Sequence, residues 1–299
     1  MRIIALGSAA GGGSPQWNCR CRVCDLAWNG DSRVSRRTQA SLAVSANEQD
    51  WCLLNCSPDI REQISVCNWL KPRGKLRGSP IRDIVLTSGE VDHVGGLLSL
   101  RESEPYSIFG SAEVLKLLDA NQIYEVLDRR VVSRQAIASG ETATLGSGIT
   151  VELFQVQGKA PLYLERGAPT AGAAPDSTVG ARIAVQHKTF FYIPGCAAID
   201  EDLAGRIRGA QLVFFDGTLW TDDEMIASGT GHKTGRRMGH MPVSGADGSL
   251  HALSSLGIGR LIYTHINNTN PMLIDGSPER RDVEAAKAEV AFDGMEIIL

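Results

Sequence analysis

Long apolar runs are missing from this 299-residue sequence. Nothing in it approaches the roughly 18 to 20 consecutive apolar residues of a membrane span. Residues 1–10 also lack a basic region followed by an apolar core and a small-residue cleavage site, so the expectation is a cytoplasmic protein. An excess of positive charge is missing as well. Lys and Arg number 30 against 34 Asp and Glu, a formal net charge of −4, so no global field attracts a phosphate backbone and nucleic acid is not an expected partner. Aromatic residues make up only 6%, yet 43% of the chain is hydrophobic and 21% charged, which supplies a large core and excludes both disorder and a small stapled scaffold. Seven cysteines, an odd number without an export signal, argue against a disulfide framework.

What is present alternates between two patterns. Short β-type runs recur at 2–7, 40–45, 51–55, 82–88, 150–156, 181–187, 189–193, 211–216 and 260–265. Helical patterns fall at 58–67, 93–102, 112–127, 199–209, 243–256 and 277–290, the last opened by Ser277 as an N-cap before Pro278 and Glu279. The mixture predicts layered α/β (α+β) architecture. No Pro/Ser-rich or like-charge linker divides the chain, so a single domain over 1–299 is expected. A Gly-, Ala- and Pro-rich stretch at 157–180 is long enough to be functional, and it is the candidate lid.

Three stretches carry chemistry. The first is Asn18-Cys19-Arg20-Cys21-Arg22-Val23-Cys24-Asp25. Three thiolates this close can hold a structural zinc, with the fourth tetrahedral position filled from elsewhere, and Arg20 and Arg22 favour the thiolate form. The alternative is three free thiols. The glycine run 7–13 before it has neither Gly-Lys-Ser/Thr nor a spaced Gly-x-Gly-x-x-Gly, so it reads as a tight turn that lets backbones approach. The second stretch, Thr87-Ser88-Gly89-Glu90-Val91-Asp92-His93, follows an apolar strand and sets Ser88, Glu90 and Asp92 at alternate positions. A helix cap beside a surface histidine would look the same. The third is Tyr263-Thr264-His265-Ile266-Asn267-Asn268, where another apolar strand delivers a histidine into a polar loop. With Asp92 and His93, His265 completes two histidines and one carboxylate, the facial set that leaves positions open on non-haem Fe(II).

The strand, Thr and acidic loop ending Asp-His-Val-Gly-Gly at 92–96 resemble the metallo-β-lactamase superfamily, whose hydrolases carry His-x-His-x-Asp-His there. That resemblance implies an αββα sandwich with a metal site at the sheet edges. The segments 15–24 with Cys-x-Cys-x-x-Cys, 88–93, Arg237-Met238-Gly239-His240-Met241-Pro242 and 265–271 are similar, more closely, to the branch that serves biosynthesis of the redox cofactor pyrroloquinoline quinone (PQQ). Departures from the hydrolases are expected to matter. Ser88 and Glu90 stand where their first two histidines would be, no histidine occurs around 155–159, and Cys196 takes the place of the bridging Asp. One of two metal positions has thus lost its ligands, and a single open site fits better than a hydroxide clamped between two ions.

The resemblance implies an Fe(II)- and O2-dependent hydroxylase that modifies the tyrosine ring of a cross-linked Glu-Tyr unit cut from the precursor peptide PqqA. Asp92, His93 and His265 would bind the iron, while Ser88 and Glu90 complete its coordination or position substrate. A different reading is a non-catalytic carrier helping PQQ or its precursor toward the periplasm. A zinc hydrolase is the third, opposed by the missing histidines. Other PQQ-pathway proteins are candidate partners. His240 would hold substrate carboxylates with Arg236 and Arg237, serve as acid or base, or be a structural loop histidine. Asp216 is a lesser candidate for supporting the site. In zinc-clipped relatives the fourth ligand lies three residues after the last strand histidine; here that residue is Asn268, a weak zinc donor, and the position stays open. His187, His232 and His251 sit in no motif, and Cys52, Cys56 and Cys67 read as small buried residues.

Overall fold

Among the described residues the fourteen strands are short and most are apolar on both faces, because each sheet is covered twice. The computed structural model describes residues 1–74, 76–165 and 176–299. One sheet contains β1 (Arg2–Gly7), β2 (Ser41–Ser45), β3 (Trp51–Leu54), β4 (Ile81–Val85), β5 (Tyr106–Gly110), β6 (Val132–Ala136) and the last strand, β14 (Glu296–Ile298), in the order β14-β1-β2-β3-β4-β5-β6. The other contains β7 (Thr142–Thr144), β8 (Thr150–Gln155), β9 (Val179–Val185), β10 (Lys188–Ile193), β11 (Val213–Asp216), β12 (Leu261–Thr264) and β13 (Ala288–Val290), in the order β13-β12-β11-β10-β9-β8-β7. Pairing is parallel from β3 to β6 and from β10 to β13, and antiparallel elsewhere.

Period-two alternation sorts the side chains. In β1, Ile3 and Ala5 enter the core between the sheets, while Ile4 and Leu6 face outward beneath helices. In β11, Phe214 points to the intersheet core, and Val213 and Phe215 point away from it. The outer face of the first sheet packs on α2 (Ile60–Val66) and α4 (Ala112–Ala120) through Ile60, Val114 and Leu118. The outer face of the second packs on α1 (Arg22–Trp28), α5 (Glu201–Ile207), α7 (Ser249–Ser254) and α8 (Pro278–Ala285) through residues such as Val23, Leu203, Leu253 and Val283. This is the expected αββα sandwich.

Several expected helices are shorter, for local reasons. The pattern at 93–102 becomes one turn, α3 (Val91–Val94), followed by a 3-10 helix over Gly95–Leu100. The pattern at 112–127 breaks at Asn121, which is extended. The pattern at 277–290 opens as expected, with Ser277 Oγ accepting from Arg280 N at 3.0 Å. It stops at Ala285; Lys287 is left-handed, and 288–290 pair with β12 as β13. The candidate lid is described only at 157–165 and 176–180; its middle lies outside the described residues.

Candidate metal centre

The parallel strands of both sheets send their carboxyl ends toward one another, the place where open α/β sheets put their ligands. β4 leads through Leu86 and Thr87 into the acidic loop. Asn55 pins that exit, its Oδ1 accepting from Thr87 N at 2.9 Å. Glu90 then precedes α3, which carries Asp92 and His93. Behind them Gly96 lies against backbone: a Cβ there would sit 2.0 Å from the Ser57 carbonyl oxygen.

From the second sheet, β12 ends at Thr264 and His265 follows with φ +55°. That left-handed conformation costs a non-glycine residue roughly 1–2 kcal/mol. It is held by Ile266 N donating to Ser8 O at 3.0 Å and Asn267 N to Thr218 O at 2.9 Å. The glycine run after β1 is stitched to the same loop through Ala10 N and Ile266 O, at 2.8 Å. The Cβ position of Gly11 lies 3.6 Å from Asp92 Cγ, so the run brings backbone close to the acidic loop and holds no phosphate motif.

Asp92, His93 and His265 converge. His265 Nε2 is 2.8 Å and His93 Nε2 3.8 Å from Asp92 Oδ2, and the two imidazoles meet edge to face with centroids 5.5 Å apart. One ligand atom from each of the three lies within 4.8 Å of the others. Among the described residues His93 Nε2 is buried with no hydrogen-bond partner. Burial pushes the His93 pKa down to about 4, which keeps that nitrogen's lone pair available. Burial opposes ionisation of Asp92, but the charges of His93 and His265 and the hydrogen bond from His265 hold its carboxyl well below the usual range. An orphaned imidazole nitrogen beside an anionic carboxylate and a second imidazole is a donor set that fits a transition-metal ion.

A second layer of polar groups backs the histidines. Ser88 Oγ lies 2.7 Å from His93 Nδ1, so Ser88 touches the far nitrogen of the ring. At the end of β11, fully buried Asp216 lies 2.6 Å from His240 Nδ1, and His240 stacks on His265 with centroids 5.2 Å apart. Thr218 Oγ1 sits between them, 2.6 Å from Asp216 Oδ1 and 2.9 Å from His265 Nδ1. Thr218 is the residue that the motifs did not single out; its signal was the Asp-Gly-Thr at 216–218 leaving an apolar strand.

Other candidates lie elsewhere. The Glu90 carboxylate is taken by Lys159 Nζ at 2.8 Å and Leu162 N at 3.2 Å, and it is not in the triad's ligand cluster. Lys159 also meets Glu165 at 3.1 Å, and Glu165 pairs with Lys233, so Glu90 ties the acidic loop to the described part of 157–165. Arg236 is committed to Asp247, and Arg237 is exposed. Cys196 donates its backbone N–H to Asp216 at 2.9 Å, and burial pushes its thiol pKa up. A cavity of about 620 Å³ lined by residues including Gly12, Thr38, Gln63, Trp69 and Asp293 includes none of the triad.

Cys19, Cys21 and Cys24 form a separate cluster at the start of α1, with ligand atoms within 4.8 Å of one another. The Asn268 side-chain nitrogen lies 3.2 Å from the Cys19 and Cys24 sulfurs and 3.7 Å from that of Cys21. The residue three places beyond His265 thus occupies the fourth side of the sulfur cluster. Hydrogen bonding from Cys21 lowers the Cys24 thiol pKa despite burial. Three sulfurs converging on one point fit a structural zinc.

The chain matches the β-lactamase superfamily domain over residues 50–266. It is 50% identical over its full length to coenzyme PQQ synthesis protein B of Methylobacterium nodulans, covering all of both chains, and 50% identical to that of Rhizobium meliloti, covering 98% of it. Its structure superposes on zinc-bound PqqB from Methylobacterium extorquens with a TM-score of 0.97 at 50% identity and full coverage of both. A diphosphatase of the PhnP family superposes at 0.70 with 19% identity, covering 100% of this chain and 97% of that one, a likeness of fold.

Proposed function

The chain belongs to the coenzyme PQQ synthesis protein B family within the β-lactamase superfamily and takes part in PQQ biosynthesis; from that premise we propose that it is a non-haem Fe(II), O2-dependent hydroxylase of the tyrosine ring in a cross-linked Glu-Tyr unit. The observation that carries this reading is the triad itself: two histidines and one carboxylate from opposite sheets, three ligand atoms clustered with no fourth in that group among the described residues. Fe(II) held by such a set keeps positions open for O2 beside a substrate. Each hydroxylation inserts one oxygen atom into a ring C–H, and the other leaves as water with two electrons from an external reductant.

The chain's own residues do the rest. Asp92, His93 and His265 hold the metal. Ser88 steadies the His93 ring from behind. His240, with Nδ1 held by Asp216, turns Nε2 to the task of taking or returning the proton of the substrate phenol. Exposed Arg237, with no side-chain ion pair among the described residues, meets substrate carboxylates, since Arg236 is already paired. Cys19, Cys21 and Cys24 hold zinc that braces the loop behind His265.

The test is anaerobic loading with Fe(II), addition of the cross-linked Glu-Tyr substrate and O2, and mass spectrometry of the product beside a zinc-loaded control. Oxygen incorporation with iron alone is the expected result. In His93→Ala both iron content and product fall to background; parental turnover by that variant refutes the assignment. Substrate that stays unmodified but co-elutes with the iron-loaded protein overturns the hydroxylase in favour of a carrier.

A further inference from the structure

We propose that Thr218 is a positioning residue that fixes the tautomer of His265, so that one buried carboxylate, Asp216, aligns both the metal-binding imidazole and the free imidazole of His240. The inference rests on the reading of His265 as a metal ligand.

Proton counting carries it. Ionised carboxylate oxygens offer four acceptor sites, and Asp216, fully buried, meets three fixed donors and, as the fourth contact, the more basic His240 imidazole, on which the shared proton sits. Oδ1 receives Thr218 N at 3.0 Å and Thr218 Oγ1 at 2.6 Å; Oδ2 receives Cys196 N at 2.9 Å and His240 Nδ1 at 2.6 Å. Such a group is an anion with no proton to give. The Thr218 hydroxyl proton is therefore committed to Asp216, the shorter and charged of its contacts, rather than to the His265 carbonyl at 3.0 Å. What remains on Thr218 Oγ1 is lone pair, 2.9 Å from His265 Nδ1, so His265 Nδ1 must carry the hydrogen. Nε2, which gives its hydrogen to Asp92 2.8 Å away, is then the nitrogen that a metal ion deprotonates and binds, at the point where the three ligand atoms converge.

His240 is oriented by the same carboxylate directly, and its Nδ1 hydrogen is likewise assigned. Ser88 does not impose this order on His93. Its oxygen already accepts from Glu90 N at 3.3 Å, and its own proton can turn either way. The two metal imidazoles are thus backed unequally, His93 by the hydroxyls of Ser88 and, at 3.4 Å, Thr87, neither of them on an anion, and His265 by a hydroxyl wired to an anion, which raises its basicity as a donor.

The test uses zinc, which is diamagnetic, as the probe in the full chain. Thr218→Val and Thr218→Ala delete the relay with and without the added methyl volume, Thr218→Ser restores it, and His265→Ala reports on the ligand reading. The expected result is zinc affinity at the triad lowered about 10- to 100-fold in both deletion variants by chelator competition, with the cysteine-bound zinc retained as the folding control, and near-parental affinity in Thr218→Ser. In the NMR spectrum of the zinc-loaded protein, the His265 Nδ1–H resonance persists in Thr218→Ser and is lost to solvent exchange in the deletions. Unchanged affinity and an unchanged resonance in a folded Thr218→Ala overturn the relay. If His265→Ala itself keeps triad zinc at parental affinity, the ligand reading fails instead.

Discussion

Glu224 shows how much of this structure turns on single buried groups. It opens α6 (Glu224–Ala227), accepts from Trp220 N and lies 2.5 Å from Thr269 Oγ1, which in turn meets Asn267 Nδ2 at 2.6 Å. Burial lifts its pKa from 4.5 to about 7. Between those values the folded protein keeps a proton that the unfolded chain has lost. The stability contributed is therefore complete below about pH 4.5 and is lost as pH rises to about 7, a span worth about 3 kcal/mol. Glu224→Gln mimics the protonated form, so its advantage over the parent in thermal midpoint should grow across pH 5 to 7. A difference that stays constant with pH, measured by calorimetry, counts against this. Nothing in the sequence marked Glu224, because one acid in Asp222-Asp223-Glu224 looks like a solvated surface run. Only burial against the loop after β12 separates it from its neighbours. Asp92, His93 and His265 were legible for the opposite reason: each follows an apolar strand in a polar loop, and local pattern alone places them at a sheet's end.

At the scale of elements, the strands that were plain in the sequence are those buried on both faces, such as β1, β4 and β12. Those that were missed have another cause. β5, though largely buried, was missed because its few apolar residues sit between Pro105 and Gly110; β6 and β7 carry exposed polar residues, and β13 and β14 are three residues long, too short for alternation to show. Only pairing with β5, β8, β12 and β1 makes strands of these last four. Helix α3 ended early because Gly95-Gly96 is pressed onto the turn after β3, where Cys56 N donates to His93 O at 2.8 Å and Gly96 N donates to Cys56 O at 2.9 Å. A methyl group at Gly96 has no room against that carbonyl backbone. Gly96→Ala should cost about 1–3 kcal/mol or more and displace the turn bearing Asp92 and His93. Loss of metal together with a lowered thermal midpoint is the expected outcome; a variant with parental metal affinity shows that the turn is not held by this contact.

Across the whole molecule, the sulfur cluster and the triad share one segment, since Asn268 faces the cysteines and His265 the carboxylate. Cys24→Ser should therefore remove one equivalent of zinc and also weaken metal binding at the triad, read by metal analysis of both sites; undiminished triad affinity separates the two centres. The triad in turn draws Asp92 from the first sheet and His265 from the second, 173 residues apart in the chain. Neither sheet alone presents the Asp92, His93 and His265 triad. In kinetic terms an ion bound there would be a bolt rather than a nucleus: with nothing to grip until the halves have met, it would lend nothing to the speed of their meeting and would act by holding them from parting.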